Sequence, residues 1–391
     1  MMNFGLVNGW KQLLLDRWTS GVRKRKRKQP CQILEDELDT KSVKEQNEIE
    51  MLLDDSGMIP SGTFGNLRFL DWGSQGSRVY SALENGRAVA LKIVDLELPW
   101  ELEEAEKEVR ILCSLKHAHV ARILRVFVHD HHLVLVQRLC SSLSLFRLLE
   151  GGFPTGLPEH AVAFALRECL IGLTYLHSCG LVHRALSAAH LLCDDRGRVC
   201  ITGMRHCIAV SGYRGERCHD FPSRHALHNL PWLAPEVLAQ DLRGYGRAAD
   251  LYSVGILALE LANGRAPFAG LPPEKALLFK LRDIVPSLNA SKRFKESFTD
   301  FTNRCLNYDP DARPNCVQLS RHPYLKQVKR YSSLWRFIPP PKDIKSIQEA
   351  KQQSPVREGE PFLFSSENNS TGDGATAVST IKWSWEEDEA S

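Results

Sequence analysis

Three groups of residues carry types and spacings from which chemistry can be built. The first is a lysine and a glutamate. Lys92 stands in Ala88-Val89-Ala90-Leu91-Lys92-Ile93, a run with the composition of a strand, and Glu108 stands directly before Val109-Arg110-Ile111-Leu112 on a helix expected from Trp100 to Leu115. A carboxylate facing a buried strand needs a cation to offset its desolvation, and Lys92 is the cation at hand. Such a pair suits helix-to-sheet packing and phosphate contact alike. The second group is the stretch Gly180 to Arg205, where an apolar run ends in His183-Arg184 and a loop follows. Two short strands, Leu191-Leu192 and Val199 to Ile201, then lead to Thr202-Gly203-Met204-Arg205. The third group is scattered: Glu236 after Ala234-Pro235, Asp250 at the head of Asp250-Leu251-Tyr252-Ser253-Val254-Gly255, and Arg313 in Asp309-Pro310-Asp311-Ala312-Arg313-Pro314.

The second group has the layout of a protein-kinase catalytic loop and metal-binding turn. Phosphoryl transfer in that frame needs a carboxylate beside the substrate hydroxyl, an Asn for one Mg²⁺ and an Asp that holds Mg²⁺ against the nucleotide phosphates. Those three positions read Ala185, His190 and Gly203, while Leu186, Leu191 and Leu192 stand where the frame expects apolar anchors. The expectation is a loop kept without its reactive groups, with no catalytic residue and no metal. The third group fits the same resemblance, which implies that Glu236 pairs with Arg313 and that Asp250 hydrogen-bonds the catalytic-loop backbone. Carboxylates with scaffold roles are present and those with catalytic roles are missing. General drift would be expected to remove both kinds.

The elements that must position these residues can be read around them. From about Gly62, short aromatic and β-branched segments argue for strands: Leu67 to Leu70, the run through Val79-Tyr80, Ala88 to Ile93 after the turn Glu84-Asn85-Gly86, Ala121 to Val128, and His132 to Val136. A phosphate-covering loop wants glycine seven, five and two residues before Val79, and those positions read Trp72, Ser74 and Ser77. Gly73 and Gly76 are displaced by one, so a working loop and a ligand-free hairpin both stand as readings. Gln137 to Ser142 reads as the hinge between lobes, and His129, His131 and His132 as a turn rather than a metal site. Apolar positions from Val162 to Leu176 mark a helix over 158–179 with Gly180 as its C-cap. Further helices are expected over 250–263, 273–281, 294–307 and 317–320. The fold class is α+β: a bilobal, protein-kinase-like domain over 62–326, with a β-rich small lobe and a helical large lobe.

The chain has 391 residues, 43% hydrophobic and 25% charged, ordinary for a globular protein. A net charge of +3 is too near balance to make nucleic acid or membrane the main partner. The 11 Cys show no CxxC pair and no zinc-ligand spacing, which predicts reduced thiols in an intracellular compartment. No apolar run reaches the roughly 18 residues that span a bilayer, and polar residues interrupt the first 20, against a secretory signal. Residues 1–61 read as a mostly disordered region with the basic run Arg23 to Lys28, open as a solvated tail, a nuclear-import signal or part of an interfacial helix. Residues 327–391 read as a flexible tail ending Trp383-Ser384-Trp385-Glu386-Glu387-Asp388-Glu389, whose aromatics beside acids suit docking into a partner pocket.

Within 62–326, Asp220-Phe221-Pro222, Pro231 to Leu238, Asp241 to Tyr245, Ala249 to Gly255 and Glu260 to Gly264 resemble the sterile-twenty-related kinase adaptor (STRAD) family of pseudokinases. So do the altered loop His183 to His190 and the turn Gly203-Met204-Arg205. The resemblance implies a non-catalytic adaptor that activates a Ser/Thr kinase of the liver-kinase-B type and retains it in the cytoplasm, with nuclear presence left open by the basic run. It implies a helical-repeat scaffold of the calcium-binding-protein-39 family that receives the tail through Trp385 and Glu386. This chain departs there, because Glu387 follows where the family has Phe and five residues remain after Glu386. It also implies Val79, Ala90, Lys92 and Glu108 as nucleotide-binding positions, and ATP held without Mg²⁺ by basic residues near the lost metal site, for which Arg205, Arg214 and Arg217 are the candidates. The alternative is a weakly active, unconventional Ser/Thr kinase.

Overall fold

The computed structural model describes residues 64–340 except 74–75, 98, 130, 141–143, 211–216, 222–225, 287 and 289–293. The basic run, Arg214, Trp385 and Glu386 lie outside these residues. The described chain opens with five antiparallel strands, β1 (Phe64–Trp72), β2 (Arg78–Glu84), β3 (Arg87–Asp95), β4 (Ile123–His129) and β5 (His132–Arg138), in the order β1-β2-β3-β5-β4. The period of two sorts β3 into faces. Val89, Leu91 and Ile93 are buried with Val134 and Val136 of β5, Ala82 of β2 and Phe64 of β1 in one apolar cluster. Ala90, Lys92 and Val94 point to the other face, where Val94, Leu133 and Leu135 join the main core. Helix α1 (Pro99–Ser114) lies between β3 and β4 in the chain and packs on both.

Beyond the hinge come α2 (Leu145–Gly152) and α3 (Glu159–Ser178), then the short strands β6 (Leu181–Val182), β7 (Leu191–Cys193), β8 (Val199–Ile201) and β9 (Ile208–Ala209). Ser144 caps α2 by accepting from the Arg147 amide. The large lobe is centred on α4 (Ala248–Asn263), which is buried on nearly every side and ends at Gly264 with φ 83°, a left-handed C-cap that glycine adopts without steric penalty. Helices α5 (Pro273–Leu281) and α6 (Glu296–Cys305) follow, then one-turn helices at Cys316–Ser320 and Pro323–Lys326. Among the described residues no helix is long and apolar enough to cross a membrane.

The segment that follows residue 326 packs on the domain as far as Ile338. Val328, Leu334 and Ile338 are buried in the main core. The Leu334 amide donates to Gly197 O at 2.8 Å and the Trp335 indole to Asp195 O at 3.0 Å, which ties this segment to the β7–β8 turn. The proline run that ends regular structure begins only after these contacts.

Candidate functional site

Strand register brings the expected nucleotide positions together. Val79 of β2 is the direct cross-strand partner of Lys92, and Ala90 lies two residues from Lys92 on the same face of β3. Opposite them, Lys92 Nζ donates to both carboxylate oxygens of Glu108 at 2.7 Å, and both side chains are largely buried. Helix α1 is therefore docked on the sheet by a paired charge rather than by apolar contact alone. Between β1 and β2, Trp72 is exposed, Gly73 N donates to Ser77 O at 2.7 Å, and a Cβ on Gly73 would stand 2.4 Å from Ser77 Oγ. A side chain at Gly73 would therefore have to displace the Ser77 hydroxyl.

The loop after β6 is held from below by α4. Asp250 is fully buried, with Oδ2 accepting from His177 Nε2 and His183 N and Oδ1 from Arg184 N, each at 2.8 Å. Burial alone would push this carboxyl up, but the hydrogen bond and charge of His177, with further help from His183, outweigh it and hold it below the usual range. The anchoring permits Arg184 a left-handed φ of 65°, uncommon for a residue with a side chain. Its guanidinium then gathers three groups: His206 O at 2.7 Å, the Asp220 carboxylate at 2.7 Å and the Tyr245 hydroxyl at 2.9 Å.

At the loop and turn expected to lack metal ligands there is a chain of imidazoles. His190 Nδ1 donates to Ala185 O at 2.5 Å, and its ring lies 6.0 Å from His183 and 5.9 Å from His206, centre to centre. Gly203 makes room for it: a Cβ there would stand 2.6 Å from His190 Cδ2. Burial, then the neighbouring His183, brings His190 down from 6.5 to about 4, so the ring is neutral at physiological pH. His183 is lowered for the same first reason. The nearest carboxylate in sequence, Asp194, is buried and accepts from the Arg196 and Arg198 amides and the Arg198 guanidinium. Mg²⁺ requires oxygen ligands in near-octahedral array, and buried imidazoles beside an alanine and a glycine do not fit it.

Two basic residues expected at the phosphates are engaged elsewhere. Arg205 is fully buried, its Nε donating to Glu104 of α1 at 2.8 Å, so its charge is offset by the helix. Arg217 donates to Asp311 at 2.6 Å. This leaves Lys92 as the one expected cation whose described position faces Val79 and Ala90. The scaffold pair forms as expected, Arg313 meeting both oxygens of Glu236 at 2.6 and 2.8 Å. Sequence reading missed Glu104, Asp220 and His206 as members of the site. It read the His129-to-His132 segment as a turn. Asp95, His131 and His132 do place one ligand atom each within 4.8 Å of the others, but Arg78 donates to His132 Nε2 at 3.2 Å and brings a competing positive charge.

A second contact of the loop with α4 has a consequence for pH. Glu260 of α4 accepts from the Ala188 amide at 2.9 Å and the Trp232 indole at 2.8 Å, and burial raises it from 4.5 to about 7. A raised carboxyl contributes stability that is present below pH 4.5 and lost as pH rises through about 7. The lowered His190 contributes stability that is present above pH 6.5 and lost as pH falls through about 4. The two slopes oppose each other across the overlap. Glu260→Gln, which keeps both acceptor contacts without titrating, is therefore expected to make stability rise more steeply between about pH 4.5 and 6.5 than in the parent. Urea unfolding at half-unit pH steps checks this, and parallel curves would reject it.

The protein kinase domain model matches residues 68–325. The chain is 32% identical over 293 residues to the STE20-related kinase adapter protein alpha of Rattus norvegicus, covering 63% of this chain and 74% of that protein. It is 33% identical over 271 residues to the Mus musculus protein of the same name, covering 58% of this chain and 63% of the relative's length. It is also 34% identical over 257 residues to the serine/threonine-protein kinase fray2 of Dictyostelium discoideum, covering 64% of this chain and 24% of that protein. The chain belongs to the protein kinase domain family and, within it, to the STE20-related kinase adapters.

Proposed function

We propose that this chain is a catalytically inactive adaptor that binds a Ser/Thr kinase of the liver-kinase-B type and raises its activity. The observation that supports this reading is that three contacts expected of an assembled kinase frame are made, Lys92 with Glu108, Asp250 with the loop backbone and Glu236 with Arg313, beside a buried His190 packed on Gly203 that offers Mg²⁺ no oxygen ligand. Loss of the phosphate-bridging metal removes most of the electrostatic stabilisation on which phosphoryl transfer relies. An assembled surface that binds only the active form of a partner favours that form by its differential affinity.

In this reading ATP binds without Mg²⁺, with Lys92 as its cation, and a helical-repeat scaffold of the calcium-binding-protein-39 family takes Trp385 and Glu386. The complex works in the cytoplasm, and the basic run offers a route to the nucleus. The second reading, a weakly active kinase, is favoured by the formed Lys92–Glu108 pair and by the likeness to a protein named as a serine/threonine kinase.

One experiment separates them. The purified chain is assayed for phosphotransfer alone and with the partner kinase, and its thermal unfolding is followed with ATP, with and without Mg²⁺. The adaptor reading expects background transfer alone, at least tenfold activation of the partner, and stabilisation by ATP that does not need the metal. Metal-dependent transfer by the chain alone would overturn it.

A further inference from the structure

Two thiols meet at the junction of the lobes. Cys140 lies in the hinge just after β5 and Cys200 lies on β8, 60 residues apart in sequence, with sulfurs 3.8 Å from one another. Both are free and partly buried. The backbone around them is already linked: beyond the hinge, Ser144 bridges to Leu192 of β7, and Leu192 is the cross-strand partner of Cys200. Closing a disulfide of about 2.05 Å therefore asks for side-chain rotation and a small backbone adjustment, not for rearrangement of elements.

We propose that Cys140 and Cys200 form a reversible disulfide, with a peroxide as oxidant, that fastens the inter-lobe hinge to the strand leading into Gly203. This inference stands whether or not the chain activates a partner kinase. The hydrogen bond from Cys200 holds the Cys140 thiol below its ordinary value although burial works against it, while the same bond and burial raise Cys200. Cys140 is thus the sulfur that reacts first. Its thiolate attacks one peroxide oxygen, the O–O bond breaks, and hydroxide leaves Cys140 as a sulfenic acid. The Cys200 sulfur then attacks the sulfenic sulfur, losing its proton as the sulfenic oxygen departs as water. Two electrons pass from the thiol pair to the peroxide. Other thiols are poorer candidates: burial raises Cys169, Cys193, Cys207 and Cys305, and lifts Cys316 to about 12. Under reducing conditions such a bond is transient, which suits a switch more than a staple.

The test uses the full chain, reduced, exposed to hydrogen peroxide, alkylated and mapped by mass spectrometry without reduction. The expected result is a linked peptide pair containing Cys140 and Cys200, a rise of roughly 5–10 °C in the unfolding midpoint from closing the loop, and reversal of both by dithiothreitol. Cys140→Ser and Cys200→Ser should each abolish the link and the rise. Peroxidation that takes Cys140 to sulfinic acid without linkage overturns the proposal, as does a midpoint rise that persists in Cys140→Ser. The peptide map of the parent chain decides the matter even where a variant fails to fold.

Discussion

Replacing Gly203 by Asp is expected to leave phosphotransfer at background and to destabilise the fold by about 2–4 kcal/mol. Two independent effects add. The backbone at this position has φ 86°, where a residue with a Cβ is strained, and that Cβ would stand 2.6 Å from the His190 ring. The ring cannot simply step aside, because its Nδ1 is held by Ala185 O at 2.5 Å and it packs against His183 and His206. Gly203→Ala should show most of the same loss, which separates strain from charge. His190→Asn with Gly203→Asp should recover part of the stability by removing the clash, yet still transfer nothing, since Ala185 offers no base. Only the triple change that adds Ala185→Asp rebuilds all three groups on which the reaction relies. Unfolding midpoints and a radiometric transfer assay across the series check this, and transfer by Gly203→Asp alone would show that the imidazoles are no obstacle.

Arg313→Leu is expected to cost about 3–5 kcal/mol, the range for a buried pair deprived of one partner, and to lower the unfolding midpoint by roughly 6–15 °C. Arg313 meets Glu236 with two parallel bonds and also donates to Asn307 O at 2.7 Å, Ala248 O at 3.0 Å and Tyr308 O at 3.1 Å. Its planar fork thus donates to a buried carboxylate and to three carbonyls at once. Arg313→Lys keeps the charge but cannot reproduce the fork, and should lose more than half of the same stability. Lys280 stands nearby, fully buried and donating to Pro231 O at 2.6 Å, but burial already drives its amine well below the ordinary value, so it is a poor replacement cation. Calorimetry on both variants checks the ordering, and a midpoint within 2 °C of the parent for Arg313→Leu would mean that Glu236 is hydrated or protonated instead.

What was legible in the sequence was whatever depends on local pattern. Strand β3 forms over Arg87–Asp95 where Ala88 to Ile93 was expected, helix α3 runs Glu159–Ser178 against an expected 158–179, and the pairs Lys92–Glu108 and Glu236–Arg313 follow once those elements are placed. What escaped depends on approach in space. Arg205 follows the altered turn, so its charge was assigned to phosphates. Glu104 claims it because it lies one helical turn before Glu108 on α1, and that face reaches Arg205 only after the lobes pack. The imidazole chain escaped for a related reason: His183, His190 and His206 have no common spacing, and a loop closed by Asp250 brings their rings together. The segment after 326 was read as tail, and the burial of Val328, Leu334 and Ile338 in the main core follows no local period that would announce it.

The contact between Arg184 and Asp220 bears on how the chain is controlled. An arginine placed to gather the segment that follows the Gly203 turn is satisfied here by a carboxylate of that segment itself, and the cluster extends to Lys107 of α1, whose amine is lowered by burial and then by the Arg184 charge. The negative charge is therefore written by the gene. No second enzyme has to add it, none can erase it, and a freshly made chain reaches this arrangement as soon as it folds. The contact needs no added phosphate to complete it, and every folded copy carries the same charge at this point.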